Sequence, residues 1–272
     1  MKTLKRIPQT LCIFLCSVLL FGFQTVSALT LEGSAEEKGL AVAKASKEKG
    51  EGWGDSTGKM TMIIRNTRGD ETIRELRLRS LEVQGDGDKS LSIFDTPADV
   101  RDTKMLTYSH NNRADDQWLY LPALKRVKRI SSKNKAGPFM GSEFSFEDLS
   151  SFEVQKYDFK YIGEEQMNGL DCYKLEAAPN YEHSGYSKQT LWLDKKELRA
   201  QRIDYYDLKG ELLKTQVFKD YKLFQDKFWR ALSSTMRNHQ NGKSTVLNWS
   251  ELKFNQGLNE NDFHQNVLKR VM

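Results

Sequence analysis

Beyond residue 59, apolar and polar positions alternate with a period of two, and turn residues break the alternation at short intervals. Met60, Met62 and Ile64 alternate before Arg68-Gly69-Asp70 turns the chain, and residues 73–81 continue with Leu76 and Leu78 set between arginines. Gly85-Asp86-Gly87-Asp88 marks another turn. Residues 91–95 read as a strand ended by Pro97, and 105–110 as one more, before the polar loop 111–115. The same texture returns at 157–162, 172–177 and 190–194, joined by Asn168-Gly169 and by the loop 179–187. Residues 199–206 pair with 212–221 through Asp207-Leu208-Lys209-Gly210. Residues 228–236 pair with 245–254 through Asn241-Gly242, the strongest hairpin signal in the chain. Turns at short spacing without crossover helices describe an antiparallel meander. About eleven strands with long apolar and aromatic faces point to a barrel or a strongly curved sheet. No fixed-period repeat or linker interrupts it, so 29–272 reads as one domain.

Two segments have a helical period instead. Ser34 stands three residues before Glu37, a capping box, and predicts a helix to about Lys47 that the glycines at 50, 52 and 54 end. It is weakly amphipathic, and reads either as a flap over a barrel mouth or as a plug at one end of the core. Residues 259–268 predict a short terminal helix.

The densest information lies in residues 116–149. Trp118 and Tyr120 alternate with Leu119 and Leu121, a strand with apolar groups on both faces, and Pro122 stops it. Lys125-Arg126-Val127-Lys128-Arg129-Ile130 is a second, strongly basic strand. After Gly137-Pro138, a loop carries Phe139, Met140, Phe144, Phe146 and Leu149. Water drives so apolar a loop onto something: it either fills the core or lines a space for a greasy ligand.

This block resembles the outer-membrane lipoprotein-sorting family, the LolA-like periplasmic carriers, and in particular the branch often encoded beside RND-type exporters. The resemblance rests on Trp118-Leu119-Tyr120-Leu121-Pro122, on Arg126-Val127-Lys128-Arg129-Ile130, and on Phe139-Met140-Gly141-Ser142-Glu143-Phe144-Ser145-Phe146-Glu147-Asp148-Leu149, with Glu143 where the family more often has Asp. It extends from about Trp53 to the C-terminus. It implies a half-open antiparallel β-barrel with an N-terminal helix and a lid loop. It also implies a periplasmic carrier of lipid or lipoprotein acyl chains that needs no cofactor, and an RND-type inner-membrane transporter as partner.

The first 28 residues agree with that compartment. Lys2, Lys5 and Arg6 precede an apolar run from 11 to 23, and Val26-Ser27-Ala28 is a small-residue cleavage site, the three parts of a secretory signal. Cys12 and Cys16 lie inside the run, and Phe14-Leu15 before Cys16 argues against lipidation. Cleavage near Ala28 leaves Cys172 alone, without an intramolecular disulfide partner, in a strand-like stretch that suits a buried inert thiol. The leader holds three of the 42 basic residues and none of the 37 acidic ones, leaving a balance of +2, which gives no case for nucleic acid.

Catalytic and metal chemistry find little support. His110, His183, His239 and His264 lie far apart, without a second ligand at metal spacing, and Asp86 and Asp88 lack the rest of a calcium loop. Ser142 or Ser145 with His110 or His183 would make a lipid esterase, but nothing in the spacing brings them together. Arg126, Lys128 and Arg129 either meet lipid headgroups or a membrane partner, or guard a solvated strand edge. Glu143, Glu147 and Asp148 either pair with that run or start a helix. The aromatic set is the principal expectation: Trp118, Tyr120, Phe139, Met140, Phe144, Phe146, Leu149 and Trp192 line or lid an acyl-chain cavity, with an ordinary core as the alternative. A third reading is a non-catalytic adaptor with a filled barrel.

Overall fold

The computed structural model describes residues 29–270. The predicted leader, with Cys12 and Cys16, lies outside them. One helix, α1 (Ala35–Gly50), precedes a single sheet of thirteen antiparallel strands: β1 (Asp55–Arg65), β2 (Glu71–Leu81), β3 (Lys89–Thr96), β4 (Lys104–Tyr108), β5 (Asp116–Leu121), β6 (Arg126–Ile130), β7 (Tyr157–Met167), β8 (Leu170–Pro179), β9 (Lys188–Asp194), β10 (Ala200–Tyr206), β11 (Leu212–Phe224), β12 (Phe228–Asn238) and β13 (Ser244–Phe254). Every stretch named above as a strand is one. Those stretches number thirteen, so the expected total of about eleven was an undercount of the segments themselves.

The order β6-β5-β4-β3-β2-β1-β13-β12-β11-β10-β9-β8-β7 follows the chain except at one joint, where β1 pairs with β13. That joint leaves β6 and β7, consecutive in the chain, as the two free edges. The sheet is therefore a half-open barrel, and residues 131–156 connect one rim of the gap to the other.

Strand register decides what lies inside. Trp249 faces Met60, Met60 faces Leu76, and Leu76 faces Phe94, so one row crosses four strands on the inner face. This face holds the main core, with Met62, Met105, Leu119, Tyr205 and Met236. Leu91, Ile93, Leu106 and Trp118 point outward into a second cluster, covered by Phe263, Val267 and Leu268. Those three residues come from the C-terminal segment, which is two 3-10 turns (Glu260–Phe263 and Gln265–Lys269) in place of the expected helix. His264 is extended between them and caps the second turn, so both turns can press apolar groups on the same strip of sheet.

The helix begins at the predicted capping box: Ser34 Oγ accepts from Glu37 N–H at 3.1 Å and the Glu37 carboxylate accepts from Ser34 N–H at 2.8 Å. Its buried side is Gly39, Val42 and Ala43, packed with Phe159, Leu175, Leu191 and Leu193. It thus plugs the β7–β9 end of the inner face. Burial of Val42 contributes about 1.5–3 kcal/mol. Gly39 allows the close approach, since a Cβ there would stand 2.8 Å from the Tyr161 nitrogen and 2.9 Å from the Lys160 carbonyl carbon. Alanine gains about 1 kcal/mol in helix propensity, but overlap with strand backbone outweighs it. Gly39→Ala is expected to lower stability by about 1–3 kcal/mol, read as a lower urea midpoint.

Candidate functional site

The connection 131–156 is folded down into the half-barrel. Its centre is a small hairpin: Pro138 bridges Ser145, Phe139 N–H donates to Phe144 C=O at 2.7 Å, and Met140 and Gly141 hold positive φ at the tip. Two such residues suit a tight turn that only a glycine enters without cost. The hairpin drives Phe139 and Phe144 into the main core, where they are 1% and 3% exposed. Phe139 meets Phe94 and Phe146 with ring centroids 5.8 and 5.7 Å apart. Met140, Phe146 and Leu149 pack around them, partly buried.

Polar anchors fix this insert. Lys214, buried on β11, donates to Asp148 at 2.6 Å and to Glu143 C=O at 2.9 Å. Asp148 also accepts from Tyr186 Oη–H at 2.7 Å. Glu147 accepts from Tyr181, from Ser184 at 2.6 Å and from Gly185 N–H at 2.9 Å. Glu143 accepts from Asn238 at 2.8 Å, and its N–H donates to Thr245. Burial, reinforced by the neighbouring carboxylates, pushes the Tyr181 and Tyr186 phenols up, so both stay protonated donors. The three acids therefore hold the insert to the barrel wall. They do not pair with the basic strand; of the two readings offered above, only a short 3-10 turn at Glu147–Leu149 matches.

The remaining candidates are scattered. Trp118 and Tyr120 lie on the outer face beneath the C-terminal turns, because period-2 alternation puts them opposite inward-facing Leu119 and Leu121. Trp192 also faces outward, its Nε1–H donating to Glu165 at 3.1 Å between Lys174 and Arg202. None of these three lines the interior. Arg126, Lys128 and Arg129 are exposed on edge strand β6, and Arg129 pairs with Asp116. Ser142 Oγ donates to Phe139 C=O at 2.7 Å and Ser145 Oγ meets Tyr186 Oη at 3.1 Å, so no imidazole is among their partners. His110 is held by Asp86 at 2.6 Å and Asp116 at 3.3 Å. Cys172 is buried, its thiol pushed up to about 11 by burial. Among the described residues no His, Cys, Asp and Glu cluster could hold a metal.

The insert leaves one end of the barrel unfilled. A cavity of about 520 Å³ opens there, bounded by Leu149, Ser150 and Ser151 on one side. Its apolar walls are Leu78 on β2, Phe218 and Tyr221 on β11, Trp229 and Ala231 on β12, and Trp249, Leu252 and Phe254 on β13, with Trp53 beside them, while Ser56, Thr57, Ser80, Ser90 and Ser109 give it a polar side. Trp53, Phe224 and Phe228 all pack against Phe254, with centroids 5.4–6.3 Å away. Of the predicted set only Leu149 reaches this space. The signal that could have found the rest is the aromatic cluster Phe224, Phe228, Trp229 and Phe254, which falls where the last two hairpins end together. A second cavity of about 570 Å³, at the gap between β6 and β7, is polar and lined by Lys133, Lys135, Lys156 and Tyr181 among others.

Asp88 also lines the aromatic cavity, and burial pushes its carboxyl up to about 6. Folded protein then binds a proton that the unfolded chain releases between pH 4 and 6. The associated stability is full below pH 4 and is lost as pH rises through about 6. Asp88→Asn is therefore expected to gain about 1–2 kcal/mol at pH 7 and to flatten the stability profile from pH 4 to 7, as measured by urea melts. Lys214→Met leaves the Asp148 carboxylate buried without its cation. It should cost about 3–5 kcal/mol, partly recovered by adding Asp148→Asn, and should expose residues 137–149 to protease.

Three solved structures share this shape. A domain from Vibrio parahaemolyticus, described as an outer membrane lipoprotein-sorting protein, is 57% identical, with a TM-score of 0.85, over 86% of this chain and 100% of that one. A DUF1329 family protein from Desulfovibrio piger ATCC 29098 is 33% identical, with a TM-score of 0.82, over 87% and 100%. A LolA superfamily protein from Nitrosomonas europaea shares the fold at 17% identity, with a TM-score of 0.68, over 87% and 100%. A family model described as that of an uncharacterized protein matches residues 86–270. No curated protein sequence matches the chain.

Proposed function

The chain belongs to the outer membrane lipoprotein-sorting (DUF1329) family with its LolA-like fold, and from that premise we propose that it is a periplasmic carrier that shelters an acyl chain in the aromatic cavity at the end of the half-barrel. The observation that carries this reading is the cavity itself: about 520 Å³, walled on one side by aromatic and aliphatic groups of β2 and β11–β13 and on the other by hydroxyl groups of β1–β3, beside an interior packed with hydrocarbon. That size lies within the ~300–1,000 Å³ usual for small-molecule sites. Each methylene withdrawn from water contributes about 0.8 kcal/mol, so ten give about 8 kcal/mol before ordering costs, which makes a micromolar complex the upper limit for a chain of that length. Such binding is firm enough to carry a lipid and weak enough to give it up.

Phe139, Phe144 and Phe146 take a supporting part in this reading: they build the inner wall that keeps the cavity at one end, and Leu149 is the insert's own contact with the chain. The exposed cations Arg126, Lys128 and Arg129 on β6 suit a transient contact with an anionic membrane surface or with an RND-type transporter, which the family resemblance suggests as partner. A transporter that binds an opened state better than the closed one would drive release.

Native mass spectrometry of the protein purified from the periplasm is expected to show a co-purifying lipid. Ala231→Trp, which fills the cavity, should remove that lipid and cut uptake of a fluorescent fatty acid at least tenfold while leaving the melting temperature within a few degrees. Equal uptake by Ala231→Trp and wild type would mean that the lipid sits elsewhere.

A further inference from the structure

The wall of the aromatic cavity carries opposite charges that do not meet. Among the described residues Arg230 and Asp88 both line it, and neither has an ion-pair partner, whereas Lys89 in the same wall is paired with Glu260. Arg230 lies against the rings of Phe228 and Phe254. Of the five N–H donors of a guanidinium, it gives one to Trp229 C=O at 3.0 Å and one to Gly50 C=O, at the end of α1, at 3.4 Å. The Asp88 carboxylate accepts only from Val83 N–H, at 3.3 Å. Nearby charges are already engaged: Lys47 with Glu153 at 3.1 Å, and Glu82 with the N–H groups of Gly52 and Gly54.

A purely structural pair would be in contact, since holding two charges apart in a half-dry site costs free energy that contact would offset. Groups left under-partnered in a ligand-sized space are completed by what enters it. We propose that the cavity selects a zwitterionic amphiphile, an acyl chain whose head offers an anionic phosphate or carboxylate to Arg230 and a neighbouring ammonium to Asp88. This rests on the carrier reading and adds the class of cargo. A free aminophospholipid or its single-chain form fits the charges. A lipoprotein anchor, whose amine is acylated, does not.

The test is a titration of the full mature chain at pH 7.5, followed by the fluorescence of Trp53, Trp229 and Trp249. The three probes share one acyl length: lysophosphatidylethanolamine, lysophosphatidylglycerol and a non-ionic alkyl maltoside. The expected ranking has lysophosphatidylethanolamine tightest by about tenfold or more, from charge-assisted hydrogen bonds made in a dry site. Arg230→Gln should weaken both phospholipids by about tenfold and leave the maltoside unchanged. Asp88→Asn should weaken only lysophosphatidylethanolamine, so that the two phospholipids bind alike. If the wild type binds the maltoside as tightly as lysophosphatidylethanolamine, the cargo proposal falls and the carrier reading stands. If none of the three binds, both fall. Should Arg230→Gln fail to fold, the wild-type ranking decides alone.

Discussion

The pairing of β1 with β13 governs the architecture. It joins the start of the meander to its end and moves the open edges to β6 and β7, in the middle of the chain. An antiparallel sheet left with two rims and a hollow face must cover both. Here one connection spans them, because the chain has to travel from β6 to β7 in any case. The apolar content of residues 131–156 follows from that route. A loop that crosses an open barrel meets the inner faces of many strands, and phenylalanines there gain burial that an exterior loop could not find.

Burial alone would leave such an insert free to slide, since apolar contact has little directional preference. The carboxylates Glu143, Glu147 and Asp148 provide the register. Each is met by at least two donors from β11, β12 or the loops that follow β8 and β12, and the Lys214–Asp148 pair is almost wholly dry. A buried ion pair adds little net stability compared with packed hydrocarbon, yet it penalises every misplacement strongly. The sequence between Phe139 and Leu149 therefore alternates two duties, with aromatic groups that fill and acids that locate.

The sheet was legible in the sequence because period 2 and hairpin residues are local signals, and each named segment folded as expected. The assignment of faces was not legible. Trp118 and Leu119 are equally apolar neighbours, and nothing local says which of them looks inward. That is decided by Phe263, Val267 and Leu268, some 145 residues later, which cover the outer side. The cavity was hidden for a related reason. Phe218, Trp229 and Phe254 come from three strands, and the β1–β13 joint, a pairing across almost the whole chain, brings Trp53 and Leu78 to them. The contiguous aromatic block, the stronger local signal, instead builds the packed part of the interior.

The position of the insert also bears on how much the barrel can hold. Residues 137–146 occupy the central interior with the kind of hydrocarbon a lipid would bring, and Leu149 to Ser151 mark where that filling stops. A ligand confined to the remaining space meets a wall already formed, so little is spent on rearrangement. A cargo with several long chains would have to expel Phe139 and Phe144, forfeiting about 1.5–3 kcal/mol for each ring, and would also strip Asp148 from Lys214. Its own burial would replace the first loss but not the second, because hydrocarbon cannot satisfy an unpaired buried charge. Enlargement of the site thus requires a partner able to supply that difference, whereas a single chain can enter and leave unaided. The polar fastening of the insert, more than its apolar surface, sets the threshold between the two.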